Sequence, residues 1–206
     1  MAYKYFKHPN RLAAFHDEAI GCQVCKEEKI CLDASSFYGE DELEAICEDC
    51  IKAGRLKEVG ACTNDADAEM LVQQLEELHP DWTKKELFED AKAKTEELEL
   101  CTPPVLSWQE WKYPAMDGDY CQFIGFASKH DYERLALIGD GEEDGKAFFA
   151  STLYDTFAED TNVDGVWKSM ADRRIKNVAQ SNDYFLLVYL FKSLHSETYV
   201  SLWDLC

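Results

Sequence analysis

Four cysteines constrain this chain more than any other feature. Cys22 and Cys25 form one C-x-x-C pair, Cys47 and Cys50 form a second, and 21 residues lie between the pairs. A C-x-x-C turn aims two thiolates at one point, and two such turns on adjacent loops close a tetrahedron around a single metal ion. The interval is slightly above the roughly 15 to 20 residues usual between such pairs, an excess that a hairpin plus a loop absorbs. The pattern predicts one structural zinc held by Cys22, Cys25, Cys47 and Cys50. Four protein thiolates leave no open coordination position, so such an ion organises the fold and activates no water. A redox dithiol explains one pair but not two, and it needs a flanking βαβ pattern that neither pair has. Cys31 is close enough in sequence to compete as a ligand, although it lacks a knuckle partner. Cys62, Cys101, Cys121 and Cys206 read as buried apolar residues or bystanders.

The charge narrows the partners. Against 21 basic side chains stand 41 acidic ones, a formal net charge of −20. A surface this negative repels nucleic acid and anionic lipid and attracts a basic protein, though the same acidity also serves solubility alone. With eleven Phe, ten Tyr and five Trp in 206 residues, the chain has the apolar content of a folded protein. Its start, "MAYKYFKHPNRLAAFHDEAI", has no apolar core of a signal peptide. The longest apolar run, "YFLLVYLF", is eight residues, against the ~20 needed to span a bilayer. An odd cysteine count without an export signal fits a reducing compartment, so a cytoplasmic location is expected.

Periodicity predicts an α+β fold: a thiol-rich, zinc-ribbon-like module over residues 1–62, and an α+β body over 63–206 that can be continuous with it. Leu71, Leu75 and Leu78 mark a helix closed by Pro80. Thr83 and Glu86 form a capping box for a second helix, with Trp82 and Leu87 placed as its hydrophobic staple. Leu87, Phe88, Ala91 and Leu98 continue its apolar face, and "CTPPV" ends it. A strand follows the Asp117-Gly118 turn at "YCQFIGFA", "DYERLALIG" reads as a short helix, and "FFASTLYDTF" has helical character. The last two β-rich runs, "DYFLLVYLFKSL" and "ETYVSLWDL", form a hairpin. Trp108, Trp111 and Tyr113 read as core.

"DTNVDG" (160–165) opens like a calcium loop, but its twelfth position is Ala171, so it reads as a solvated acidic turn, as does "DGEEDG" (140–145). Gly-rich phosphate loops, G-x-S-x-G and H-E-x-x-H are missing from the sequence, and no enzyme is expected. If the acidic loops meet a partner, the residues to watch are Asp140, Glu142, Glu143, Asp144, Glu159, Asp160 and Asp164.

With these features placed, the chain resembles the CbrC-like family of small bacterial proteins. The resemblance rests on "YFKHPN" (Tyr5 to Asn10), "CQVC", "ICEDCIKAG" (Ile46 to Gly54), "TPP" (Thr102 to Pro104), "WQEW" (Trp108 to Trp111), "YCQFIGF" (Tyr120 to Phe126) and "YLFKSLHSETYVSLWD" (Tyr189 to Asp204), in order across nearly the whole chain. Where relatives carry a further cysteine knuckle near the C-terminus, this chain has Ser193, His195 and Ser196. The family's name is tied to colicin tolerance, and its members look like immunity proteins of bacterial toxin systems. The resemblance thus implies a cognate toxin as partner, bound directly. The acidic surface suits a basic toxin. A zinc-ribbon adaptor or stress-response module with a non-toxin protein partner is the alternative.

Overall fold

The metal-ligand turns sit in a framework of very short strands. The computed structural model describes residues 3–138, 144–155, 157–158 and 161–205. A single helical turn, α1 (Pro9–Leu12), precedes β1 (Ile20–Gly21), which pairs antiparallel with β2 (Glu28–Lys29) around the first C-x-x-C. Next, β3 (Cys31–Asp33) and β4 (Tyr38–Gly39) pair with β5 (Ala45–Cys47) and β6 (Ala61–Cys62) respectively. Between the last two lie α2 (Glu48–Lys52) and a 3-10 turn, Arg55–Val59, entered and left through left-handed Gly54 and Gly60. Strands of two or three residues bury too little apolar surface to hold themselves together.

Two helices follow, each started by a side chain. Asp67 caps α3 (Ala68–Leu78) by accepting from the Met70 amide, and Thr83 and Glu86 form the complete capping box of α4 (Lys84–Cys101). The expected apolar faces need two corrections. Leu71, Leu75, Leu87, Ala91 and Leu98 are buried, but Leu78 is 54% and Phe88 65% exposed. Phe88 follows Leu87 by one residue, which rotates it about 100° around the helix, away from the seam. Leu78 lies over Gly118, where an added Cβ would come within 2.7 Å of its Cδ1. That glycine and Asp117 both have positive φ (75° and 58°), as the tight hairpin of β7 (Ala115–Met116) and β8 (Asp119–Tyr120) requires.

The body centres on a three-stranded sheet. Here β9 (Gln122–Phe126) pairs with β10 (Leu186–Lys192), which pairs in turn with β11 (Tyr199–Leu205), giving the order β11-β10-β9. The C-terminal hairpin was legible in sequence; the recruitment of β9 to its other side was not. Side chains alternate. Leu187, Tyr189 and Phe191 face a cluster with Tyr5, Phe6, Tyr113, Phe123 and the cysteine module, while Leu186, Val188 and Leu190 face Tyr132, Phe149, Val166 and Met170. The second group comes from α5 (Lys129–Ile138), α6 (Gly145–Ser151) and α7 (Val163–Ser169); a last turn, α8 (Val178–Ser181), leads into β10. The helix expected over "FFASTLYDTF" stops at Ser151, because the chain then turns to bridge β11 at Leu153↔Ser201. One apolar cluster thus includes both Cys22 and Leu202. Trp108 departs from the expected core and is 40% exposed. Its amide and that of Gln109 instead donate to the buried Asp204 carboxylate at 3.0 and 3.4 Å.

Each outer edge of the sheet is bridged at one position by an irregular segment. The N-terminal segment makes a parallel bridge at Phe6↔Phe123, with Lys7 N–H on Phe123 O at 3.0 Å and Phe123 N–H on Tyr5 O at 2.8 Å. On β11, the Ser201 amide donates to Thr152 O at 2.7 Å, and Tyr154 donates back to Ser201 O at 3.1 Å.

A buried carboxylate ties the N-terminal segment to the body. The Tyr5 hydroxyl donates to Asp119 Oδ1 at 2.8 Å, and Lys4 Nζ lies 3.1 Å from Oδ2. Burial alone would raise the Asp119 pKa, but the Tyr5 hydrogen bond and Lys4 outweigh it and hold the carboxyl below its ordinary range. A depressed carboxylate stabilises the fold above its unfolded pKa of about 3.9, and that contribution is lost as pH falls through the lower folded value. We predict that Asp119→Asn lowers the unfolding free energy at pH 7 by about 1 to 3 kcal/mol. The deficit should shrink toward pH 2 as the native carboxylate also becomes neutral. Urea unfolding at the two pH values checks this.

Candidate metal centre

Each half of the cysteine site is set by a local rule. In the first, the chain reverses between β1 and β2. Lys26 takes a left-handed φ of 64°, its amide donates to Cys22 O at 2.8 Å, and the Cys22 amide donates to Glu27 O at 2.9 Å. In the second, Cys47 ends β5 in extended conformation as the residue that caps α2, and Cys50 follows on the first helical turn. Gln23, inside the first turn, joins the halves. Its Oε1 accepts from the Glu44 and Ala45 amides at 2.6 and 3.0 Å, and its own amide donates to Ala45 O at 2.9 Å.

The four sulfur atoms lie within 4.8 Å of one another. Cys22 Sγ is 3.8 Å from Cys50 Sγ, and Cys25 Sγ is 3.8 Å from Cys47 Sγ. A tetrahedral thiolate centre with metal–sulfur bonds of about 2.3 Å has edges of about 3.8 Å. A disulfide would need about 2.05 Å, and the described cysteines are all free. The donor set therefore fits one metal ion. Burial pushes the Cys22 thiol up, but amides of Cys47, Cys25 and Val24 directed at its sulfur win and bring it down to about 6. Cys50 is pushed up, first by burial and then by hydrogen bonds within the cluster, and Cys47 is pushed up by burial against opposing hydrogen bonds from Cys50. Arg55 Nη1 approaches Cys50 Sγ at 3.6 Å while its guanidinium grips both oxygens of Glu58.

Cys31 stands beside this quartet and outside it. It faces Cys47 across the β3–β5 pair, its Sγ points to Ile20 O at 3.6 Å, and burial followed by the neighbouring thiols pushes it up to about 11. Cys62 and Cys101 are partly buried and Cys121 is fully buried, away from the quartet. Cys206 lies outside the described residues. At the C-terminal turn, the Ser193 and Ser196 hydroxyls both donate to Asp117 Oδ2 at 2.6 Å, and His195 Nε2 lies 3.5 Å from Asp119 Oδ2. This turn is held by hydrogen bonds to the β7–β8 turn.

Of the acidic residues singled out by sequence, Asp140, Glu142, Glu143, Glu159 and Asp160 lie outside the described residues. Asp144 caps α6 by accepting from Ala147, and Asp164 pairs with Lys146 at 2.8 Å. In the "DTNVDG" stretch, Asn162 caps α7 through the Gly165 amide, so these side chains serve a helix start. Sequence reading missed a cleft on either side of Trp111. One lobe, of about 310 Å³, is lined by Tyr38, Cys62, Asp65 and Glu99; the other, of about 240 Å³, by Asp67, Lys112, Tyr154 and Asp155. Glu110 and Trp111 line both. Burial raises the Glu99 carboxyl, outweighing the opposing hydrogen bond from the Ala66 amide, and the charge of Asp65 adds to the rise. These residues come from separate segments, and only "WQEW" hinted at them. Among the described residues, no helix is long and apolar enough to cross a membrane.

The model of an uncharacterised protein family, UPF0167, matches residues 1–205. No solved structure matches the chain.

We predict that Cys50→Ser abolishes stoichiometric metal binding and with it the ordered N-terminal module, since structural thiolate centres contribute about 10 kcal/mol or more to folding. Cys31→Ala should keep one metal per chain and cost about 1 kcal/mol. Metal content after gel filtration, with and without a chelator, separates the two variants.

Proposed function

The chain belongs to that family, the CbrC-like proteins whose motifs it shares, and on this footing we propose that it is a zinc-stabilised immunity protein that neutralises a basic bacterial toxin by binding it. The zinc assignment is supported by the donor set: four thiolates with tetrahedral spacing suit an ion with no redox chemistry and no directional preference of its own. A closed thiolate centre leaves the ion no position for substrate, so the proposed activity is binding rather than catalysis.

The observation that carries this reading is the cleft at Trp111. Asp65, Asp67, Glu99, Glu110 and Asp155 line its two lobes against the single base Lys112, and Tyr38, Trp111, Tyr154 and Phe157 supply aromatic walls. Carboxylates beside aromatic faces suit an arginine or lysine side chain, which gains ion pairing and cation–π contact together. The net charge of −20 would speed the encounter with a basic partner. A toxin that acts on nucleic acid must present such a basic surface, and covering it would block its substrate.

The test is protection. Co-expression with a basic toxin encoded beside its gene, once one is located, should restore growth, and the purified pair should form a one-to-one complex whose association slows as salt rises. Glu110→Lys with Asp155→Lys should slow association by about tenfold or more while leaving metal content unchanged. Failure of the purified protein to bind or protect against that toxin at low salt would overturn the proposal.

A further inference from the structure

The acidity of this chain is not uniform. Among the described residues, Lys7, Arg11 and Arg174 have no carboxylate within ion-pairing distance, although the chain carries 41 acids. Lys7 and Arg11 line one cavity with His8, and Arg174 lines the wall that Gly125 shares. Burial, and after it the positive charges of Arg11, Lys7 and Arg174, lowers the His8 imidazole from its ordinary value of 6.5.

The surroundings hold these groups in place. The Lys7 backbone is fixed by the hydrogen bond that its amide donates to Phe123 O at 3.0 Å, and His8 O accepts from the Arg11 and Leu12 amides, each at 3.1 Å. Leu12 is buried against Gly125, whose φ is 143° and where an added Cβ would come within 3.3 Å of Leu12 Cδ1. Arg174 precedes the buried Ile175 and shares a small cavity wall with Gly125. The charged groups of α5 on that wall are Arg134 and Asp131, and the Asp131 carboxylate is already engaged by the Ser128 amide and hydroxyl at 3.1 and 2.8 Å. Lys7, His8, Asn10 and Arg11 line an open cavity of about 300 Å³, and Arg174 lies outside that lining, on the wall next to Gly125 against which Leu12 packs.

We propose that this cavity binds a phosphoryl-type dianion, with Arg11 and Arg174 supplying guanidinium donors, Lys7 a point charge, and His8 a donor once protonated. Three permanent cations with no carboxylate of the described residues within ion-pairing distance repel one another, and a dianion relieves that repulsion. Guanidinium groups match tetrahedral oxyanions in geometry. Binding draws a proton onto His8, because an adjacent anion favours the imidazolium. The site is independent of the Trp111 cleft and of the toxin reading.

The experiment is an NMR titration of the His8 imidazole in the full-length, metal-loaded protein. Inorganic phosphate, sulfate and phenyl phosphate are each compared with chloride at equal ionic strength. We expect saturable binding of the dianions, with the His8 pKa rising by about one unit. Arg11→Gln and Arg174→Gln should each weaken binding about tenfold, and Lys84→Gln, on a distant helix, should leave it unchanged. Retained metal content certifies that the variants fold. Tighter binding of phenyl phosphate than of phosphate would assign the site to a phosphoryl group on a larger ligand; equal binding would assign it to the free ion. A response to chloride matching the dianions, no saturation by any dianion, or Arg11→Gln and Arg174→Gln variants that bind like the native protein would overturn the proposal.

Discussion

Four sulfur atoms gathered within 4.8 Å are the constraint on which the N-terminal third depends. Its strands have at most three residues each, so the ladder hydrogen bonds alone cannot order them. What orders them is the demand that two turns on different segments present four thiolates to one point. Gln23 contributes on the protein side, since its three hydrogen bonds to Glu44 and Ala45 tie the first turn to β5. Every thiolate added to the cluster raises the cost of the next, as the opposed shifts of Cys22 and Cys50 reflect. A cation at the centre removes that conflict.

The module is joined to the rest of the molecule by burial and by a few polar contacts in dry surroundings. Tyr5 makes three of these contacts: its hydroxyl serves Asp119, and its carbonyl accepts from the Tyr113 hydroxyl at 2.6 Å and from the Phe123 amide. Such bonds are worth little net when made but cost much when one partner is lost, because the remaining group stays buried and unpaired. They therefore fix how the aromatic core packs more than they add to its total stability.

How much could be read in the sequence followed the range of the interactions involved. The cysteine quartet, the Thr83–Glu86 capping box, the Asp117-Gly118 turn and the C-terminal hairpin are all encoded within a few residues, and each could be named beforehand. Leu78 and Phe88 were misplaced because periodicity identifies a face but not what covers it. The pairing of β9 with β10 joins segments some sixty residues apart, and no local pattern signals it. The Trp111 cleft and the cationic surface at His8 were illegible for the same reason. A total charge conceals where the charges sit, and a net value of −20 left no hint of three clustered cations.

The bridged margins of the central sheet carry a consequence for the free chain. A strand at the rim of a sheet is an invitation to any other extended segment, and proteins with unguarded rims are prone to polymerise. Here Phe6 bridges one rim at Phe123 and Leu153 bridges the other at Ser201, each with two backbone hydrogen bonds beside it. Both guards belong to irregular segments and make a single bridge each. Each thus acts as a stopper at its point of contact, interrupting the row of backbone groups that an added strand would need in register.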